Sequence, residues 1–177
     1  MNFDYENGFV SMGDLVKIRA ITNLGEVLPI SFVRIAPTTY QFNGVCNVSL
    51  NHVLGQALFG KAIPDTVYCH LEGKEVYVEL LEKVDTTNLV MPDDLVTLSI
   101  DSQSPELALV LEQEPNSAFD MISVVTLNQS LAQALLFQPL YQWLSFQDEK
   151  GVTKSVMVLD KLNLMKEMAQ TRSRKSN

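Results

Sequence analysis

Cysteine and histidine are scarce: Cys46 and Cys69 are the only thiols and His52 and His70 the only imidazoles among 177 residues. Two cysteines are too few for a disulfide framework, and no Cys-x-x-Cys pair is present. Neither histidine lies in an H-E-x-x-H or triad-like context, so each reads as a surface or satisfied side chain rather than a base or ligand. Cys46 and Cys69 could meet across a sheet with His70 nearby. Two thiols and one imidazole still fall short of a zinc site, and strand packing is the expected role of both. No run nears the ~18 consecutive apolar residues of a membrane helix, and the acidic opening Met1-Asn2-Phe3-Asp4-Tyr5-Glu6 lacks a signal peptide's basic start. The expectation is a soluble, cytoplasmic protein. Glycine-rich phosphate loops and nucleophile elbows are missing too. No cofactor, metal or catalytic residue is expected.

Charge is also thin, at 19% Asp, Glu, Lys and Arg against the ~25% usual for soluble domains. With 46% hydrophobic residues the chain has material for a real core and does not read as disordered. Its net charge of -8 argues against nucleic acid as the main partner, because phosphate binding needs clustered cations. No Lys or Arg occurs between Lys83 and Lys150, a stretch holding Asp93, Asp94, Glu112 and Glu114 among its acids. Asp93-Asp94 and Glu112-x-Glu114 lack calcium-loop spacing and read as solvated faces. Lys166, Arg172, Arg174 and Lys175 crowd the end, so residues 166–177 read as a flexible basic tail, solubilising first and an arm for an acidic partner second.

What is present is a repeat. Ser49-Leu50-Asn51-His52-Val53-Leu54-Gly55-Gln56-Ala57-Leu58 aligns with Thr126-Leu127-Asn128-Gln129-Ser130-Leu131-Ala132-Gln133-Ala134-Leu135 at a constant offset of 77. Asp14-Leu15-Val16 recurs as Asp94-Leu95-Val96, and Leu81-Glu82-Lys83-Val84 as Leu159-Asp160-Lys161-Leu162, so the offsets span only 77 to 80. A period this long means two globular domains rather than a solenoid. The reading is a tandem duplication, about 12–86 and about 91–162, joined at Asp85-Thr86-Thr87-Asn88. The domains are then 1–86, 87–165 and the tail.

Periodicity predicts the same elements in each copy. Copy one has strands over Leu15–Ile21 and Val27–Ile35, the latter bulged or at an edge because it holds Pro29. Asn51 caps a helix over His52–Phe59 that Gly60 stops. Strands Thr66–Leu71 and Glu75–Val84 flank the hairpin turn Glu72-Gly73-Lys74, with Val76, Val78 and Leu80 on one face and Tyr77, Glu79 and Leu81 on the other. Copy two has strands over Leu95–Ile100, Leu107–Gln113 and Met121–Thr126, then a helix over Gln129–Phe137. Strands Tyr141–Phe146 and Thr153–Asp160 and a final helix over Leu162–Ala169 follow. Trp143, Tyr141 and Phe146 are expected to pack the second core. The implied class is α+β, one short helix covering a twisted sheet of about five antiparallel strands in each copy.

The run Val48-Ser49-Leu50-Asn51-His52-Val53-Leu54-Gly55-Gln56-Ala57-Leu58-Phe59-Gly60-Lys61 resembles the C-terminal domain of the GreA/GreB transcript-cleavage factors, also present in Rnk-type regulators. There the pattern is roughly I-S-x-x-S-P-hydrophobic-G/A-R-A-L-hydrophobic-G-K. Pro64-Asp65-Thr66-Val67 stands at its Gly-Asp, Leu71-Glu72-Gly73 at its Pro-Gly-Gly turn, and Tyr77-Val78-Glu79-Leu80-Leu81 resembles its closing strand. Val10-Ser11-Met12-Gly13-Asp14-Leu15-Val16 is similar to its opening strand. Copy two keeps the helix but has Phe137-Gln138 for Gly-Lys, a diverged second example. The resemblance implies two tandem FKBP-like domains.

Cleavage in that family depends on an N-terminal coiled coil with a magnesium-holding acidic tip, for which the ten or so residues before copy one leave no room. What the resemblance implies here is docking on RNA polymerase near its secondary channel, without transcript cleavage. The positions that dock in the family fall on Asn51, His52 and Val53, with Asn128, Gln129 and Ser130 as the counterparts in copy two; the family's proline is lost. The helix N-terminus between them would suit a partner carboxylate. Two other readings stand beside this one. An FKBP-like prolyl isomerase or chaperone would need an aromatic-lined pocket, for which copy one offers Tyr40, Phe42, Tyr68 and Tyr77. An interaction module for an unrelated partner needs only the fold. No oligomeric state follows from the sequence.

Overall fold

Alternating burial sets the sheets: in Lys74–Lys83, Val76, Val78 and Leu80 are buried while Glu75 before them and Tyr77 between them are exposed, as a strand with one face on a core requires. The computed structural model describes residues 8–112 and 122–163. The chain divides into two compact units, Met1–Asp85 and Thr86–Asn177. The class is α+β, two sheets and two short helices among the described residues, and no described helix is long and apolar enough to cross a membrane.

The first unit runs β1 (Leu15–Thr22), β2 (Ser31–Ile35), β3 (Tyr40–Phe42), β4 (Val45–Val48), α1 (Val53–Leu58), β5 (Asp65–Leu71) and β6 (Lys74–Lys83). Its sheet order is β3-β4-β2-β1-β6-β5, with β2 and β4 parallel and the other pairs antiparallel. Val16, Ile18, Val33, Ile35, Val48, Val78 and Leu80 from the sheet meet Leu54 and Leu58 of α1 in one core, each such side chain contributing about 1.5–3 kcal/mol when fully buried.

The second unit runs β7 (Asp94–Ile100), β8 (Glu106–Leu111), β9 (Ser123–Thr126), α2 (Ser130–Leu135), β10 (Trp143–Gln147) and β11 (Thr153–Asn163). Read from its far edge the order is β9-β8-β7-β11-β10, strand for strand that of the first unit without β3, and again with one parallel pair, β8 and β9.

Fine details recur as well. The register of β6 on β1 passes from Glu82↔Lys17 to Leu80↔Ile18, leaving Leu81 as a bulge; that of β11 on β7 passes from Asp160↔Thr97 to Val158↔Leu98, leaving Leu159. Leu81 and Leu159 are the residues that the sequence repeat aligns. Gly13 (φ 87°) and Asp93 (φ 69°) both donate their N–H across the sheet, to Ile35 O and Val110 O, each at 2.8 Å. After the helices Gly60 (φ 73°) donates to Val10 O at 2.8 Å and Phe137 (φ 61°) to Val90 O at 2.7 Å. A glycine adopts that left-handed conformation freely, whereas a buried phenylalanine adopts it against its steric preference.

Several expectations need correcting. The strand expected over Val27–Ile35 begins only at Ser31; Val27 forms an isolated bridge with Ile21, and Pro29 lies outside the strand. The hairpin of β3 and β4 was not anticipated, nor were the parallel pairs that make each sheet mixed rather than antiparallel. The helices are six residues each, shorter at both ends than expected. β8 runs one residue earlier at its start and ends at Leu111, β9 starts at Ser123, and β10 starts at Trp143. Trp143 does not pack a core: 47% of it is exposed, and Tyr141 is more exposed still. Trp143 pairs with Met157 while its neighbour Leu144 pairs with the buried Val156, so the pleat turns Trp143 to the other face. Leu162 and Asn163 belong to β11; the rest of the expected final helix and the basic tail lie outside the described residues.

Candidate docking surface

Two short loops lead into α1 and α2, and the structure holds them differently. In the first unit Ser49 O accepts His52 N–H at 3.0 Å, and Ser49 is tied to Thr39 by its own N–H (3.1 Å) and its hydroxyl (3.3 Å). His52, with extended backbone, then occupies the capping position: its Nδ1 accepts Leu54 N–H at 3.2 Å. This corrects the expectation that Asn51 caps. A cap must accept from the second or third helical residue, and with the helix starting at Val53 that place is one residue later than Asn51. As Nδ1 is the acceptor, the ring proton of the neutral imidazole is assigned to Nε2.

Gly55 lets the loop lie on the helix. A Cβ there would stand 2.1 Å from Ser49 O, a backbone atom that cannot give way. The loop thus pressed against α1 presents Asn51 to solvent, flanked by Leu50 and Val53, which are 37% and 46% exposed. The helix N-terminus is narrower as an anion seat than the sequence implied. Its Leu54 N–H is taken by His52, and six residues sum little of a macrodipole.

In the second unit Asn128, Gln129 and Ser130 are likewise exposed, yet their side chains turn back to the protein. Gln129 holds the capping position without capping; its Oε1 instead accepts Thr126 N–H at 2.9 Å. Asn128 Oδ1 accepts the Thr126 hydroxyl, and Ser130 Oγ donates to Gln147 O on β10. An open groove of about 430 Å³ lies beside this last contact, between α2 (Ser130, Gln133) and β10 (Ser145, Phe146, Gln147). Only one of its lining residues is aromatic. The two triads therefore share a position in the repeat but lie in separate units.

Other candidates resolve as structure. Cys46 on β4 and Cys69 on β5 are free thiols, separated in the sheet by β2, β1 and β6; burial pushes both thiols up. No group of three or more potential metal ligands occurs among the described residues. Asp94 is not on a solvated face: it is fully buried and accepts from Met91 N–H (2.8 Å), Asn163 Nδ2 (2.7 Å) and Lys161 Nζ (3.0 Å). The aspartate–lysine pair repeats as Asp14 and Lys83, 2.7 Å apart. The matched Asp14 and Lys83 segments were visible in the sequence alignment, but not that they meet.

Comparison with protein-family models, with curated proteins and with solved structures finds no match to the chain.

Proposed function

We propose that the protein is a non-catalytic regulator with two tandem FKBP-like units, which docks on bacterial RNA polymerase near the secondary channel through the α1 loop of its first unit. The observation that carries this reading is the state of that loop. Leu50 and Val53 stand exposed around Asn51 on a turn fixed by Thr39, His52 and Gly55, and Asn51, His52 and Val53 are the positions where the Gre-factor resemblance places polymerase contact. A pre-set loop with apolar side chains around a polar one suits protein docking, since little ordering cost remains at binding. The second unit's equivalent side chains are spent on Thr126 and Gln147, so its role is secondary. The prolyl isomerase reading has less support, because the first unit's aromatics stand toward opposite edges of its sheet, Tyr40 and Phe42 on β3 and Tyr68 and Tyr77 on β5 and β6, where a prolyl pocket needs them around one apolar lining.

The test is capture of purified RNA polymerase by the full chain and by Asn51→Ala/Val53→Ser, with His52 left intact so that the cap survives. Loss of capture at unchanged thermal stability supports the reading; undiminished capture by the folded variant refutes it. A protease-coupled prolyl peptide assay on the same protein checks the enzyme alternative.

A further inference from the structure

The outer face of the first sheet carries a cluster unrelated to the α1 loop. Three cross-strand rows stack there: Thr66–Glu79–Arg19, Tyr68–Tyr77–Ile21 and His70–Glu75, the last completed by Asn23, whose N–H donates to Glu75 O. The Tyr68 and Tyr77 rings lie 5.4 Å apart at 54°, and both are nearly half exposed. The Tyr68 ring also meets the edge of His70, whose Nε2 is 3.3 Å from the phenol oxygen.

The two carboxylates beside the rings differ. Glu79 is bonded by Arg19 Nε at 2.5 Å. Glu75 accepts from the Tyr68 phenol and meets two longer partners, Asn23 Nδ2 at 3.4 Å and His70 Nε2 at 3.7 Å. Among the described residues no lysine or arginine pairs with it. Its negative field is felt next door: a hydrogen bond to Glu75, then desolvation, push the Tyr68 phenol up to about 12.

The second unit shows that the fold does not require this cluster. By register, Ser145 and Ser155 replace the tyrosine pair, and Gln147 and Thr153 replace His70 and Glu75. The equivalent sheet stands there on neutral side chains, with neither an aromatic pair nor a carboxylate at these positions.

We infer that Tyr68, Tyr77 and Glu75 form a seat for an exposed arginine side chain of a basic protein segment. The guanidinium plane lies over the tyrosine faces and its N–H groups reach the Glu75 carboxylate, whose remaining lone pairs no described lysine or arginine takes. An arginine fits better than a lysine because a planar, weakly hydrated cation stacks on an aromatic face and still offers N–H donors at its rim. The sign is set by the chain's net charge of -8, which draws a basic partner.

The test is a nuclear magnetic resonance titration of the full-length protein with a short glycine peptide bearing one arginine, against the same peptide bearing neutral citrulline. The arginine peptide is expected to shift Tyr68, Tyr77 and Glu75 resonances and citrulline to leave them in place. Glu75→Gln and Tyr77→Leu should each weaken binding about two- to five-fold, while Tyr77→Phe, which keeps the ring, should bind as the parent does. Equal shifts with citrulline, shifts confined to other residues, or full binding by a folded Tyr77→Leu would each overturn the assignment. Polymerase capture by the α1 loop is read separately, so failure of one proposal leaves the other standing.

Discussion

The Lys161 ammonium reaches the fully buried Asp94 carboxylate at 3.0 Å, and the same ammonium donates to Thr86 O at 2.9 Å and Leu89 O at 2.5 Å. One side chain thus ties the start of the second unit to β7 and β11. In the first unit Lys83 and Asp14 repeat the pair with side chains 21% and 27% exposed. The two pairs should differ in worth. Removing one partner of a buried pair strands the other charge and costs about 3–5 kcal/mol, whereas solvent-screened pairs contribute about 0–1 kcal/mol. Lys161→Met is therefore expected to lower the urea midpoint sharply, followed by fluorescence of Trp143, the only tryptophan. Lys83→Met, followed by circular dichroism, should change stability little. Adding Asp94→Asn to Lys161→Met removes the stranded charge while keeping an acceptor oxygen at that place, and should restore part of the loss.

Gly55 is predicted to be irreplaceable where its repeat partner is not. Gly55→Ala drives a Cβ into Ser49 O and should cost about 1–3 kcal/mol as overpacking. It should also move the loop that carries Asn51 and Val53, weakening polymerase capture. At the equivalent place Ala132 is fully buried, and Ala132→Gly should cost about 1 kcal/mol through helix propensity. Thermal denaturation of the two variants measures both.

How far the sequence foretold these features depended on whether the signal was local. Val76, Val78 and Leu80 announced their face by alternation, and Glu72-Gly73 announced its turn, in which both residues have positive φ. The β3–β4 hairpin carries a local signal too: Asn43-Gly44, also both at positive φ, is the strongest two-residue hairpin signal. Trp143 departs from the core expected of it because residues 143 and 146 of one strand cannot share a face. The parallel pairing of β2 with β4 and the meeting of Asp94 with Lys161 are nonlocal, and no spacing along the chain encodes them. His52 displaced Asn51 as cap because the helix begins one residue later than the preference of Asn for capping suggested.

Tyr68 should ionise later than an ordinary phenol. Of the five tyrosines it is expected to titrate near pH 12, held protonated by its hydrogen bond to Glu75. Phenolate absorbance, compared between the parent and Tyr68→Phe, isolates its step. Glu75→Gln removes the acceptor charge and should bring that step down toward 10, so that ionisation begins at lower pH in the variant. An unchanged titration in Glu75→Gln would contradict the assigned cause.

The thiols should stay separate and slow. With three strands between β4 and β5, Cys46 and Cys69 cannot reach the short Cα separation that a disulfide demands. Mild oxidation should leave both free, and native-state alkylation should lag behind that of the unfolded chain because burial disfavours the thiolate. Mass spectrometry of the oxidised, alkylated protein distinguishes two labels from none.

Competition for RNA polymerase tests the central proposal most directly. A fluorescently labelled full-length chain bound to purified polymerase is challenged with increasing Gre factor. Shared use of the secondary-channel rim predicts that Gre factor displaces the label completely, and that Asn51→Ala/Val53→Ser yields no displaceable signal. A bound label that persists at saturating Gre factor, or no binding by the folded parent chain, would contradict it.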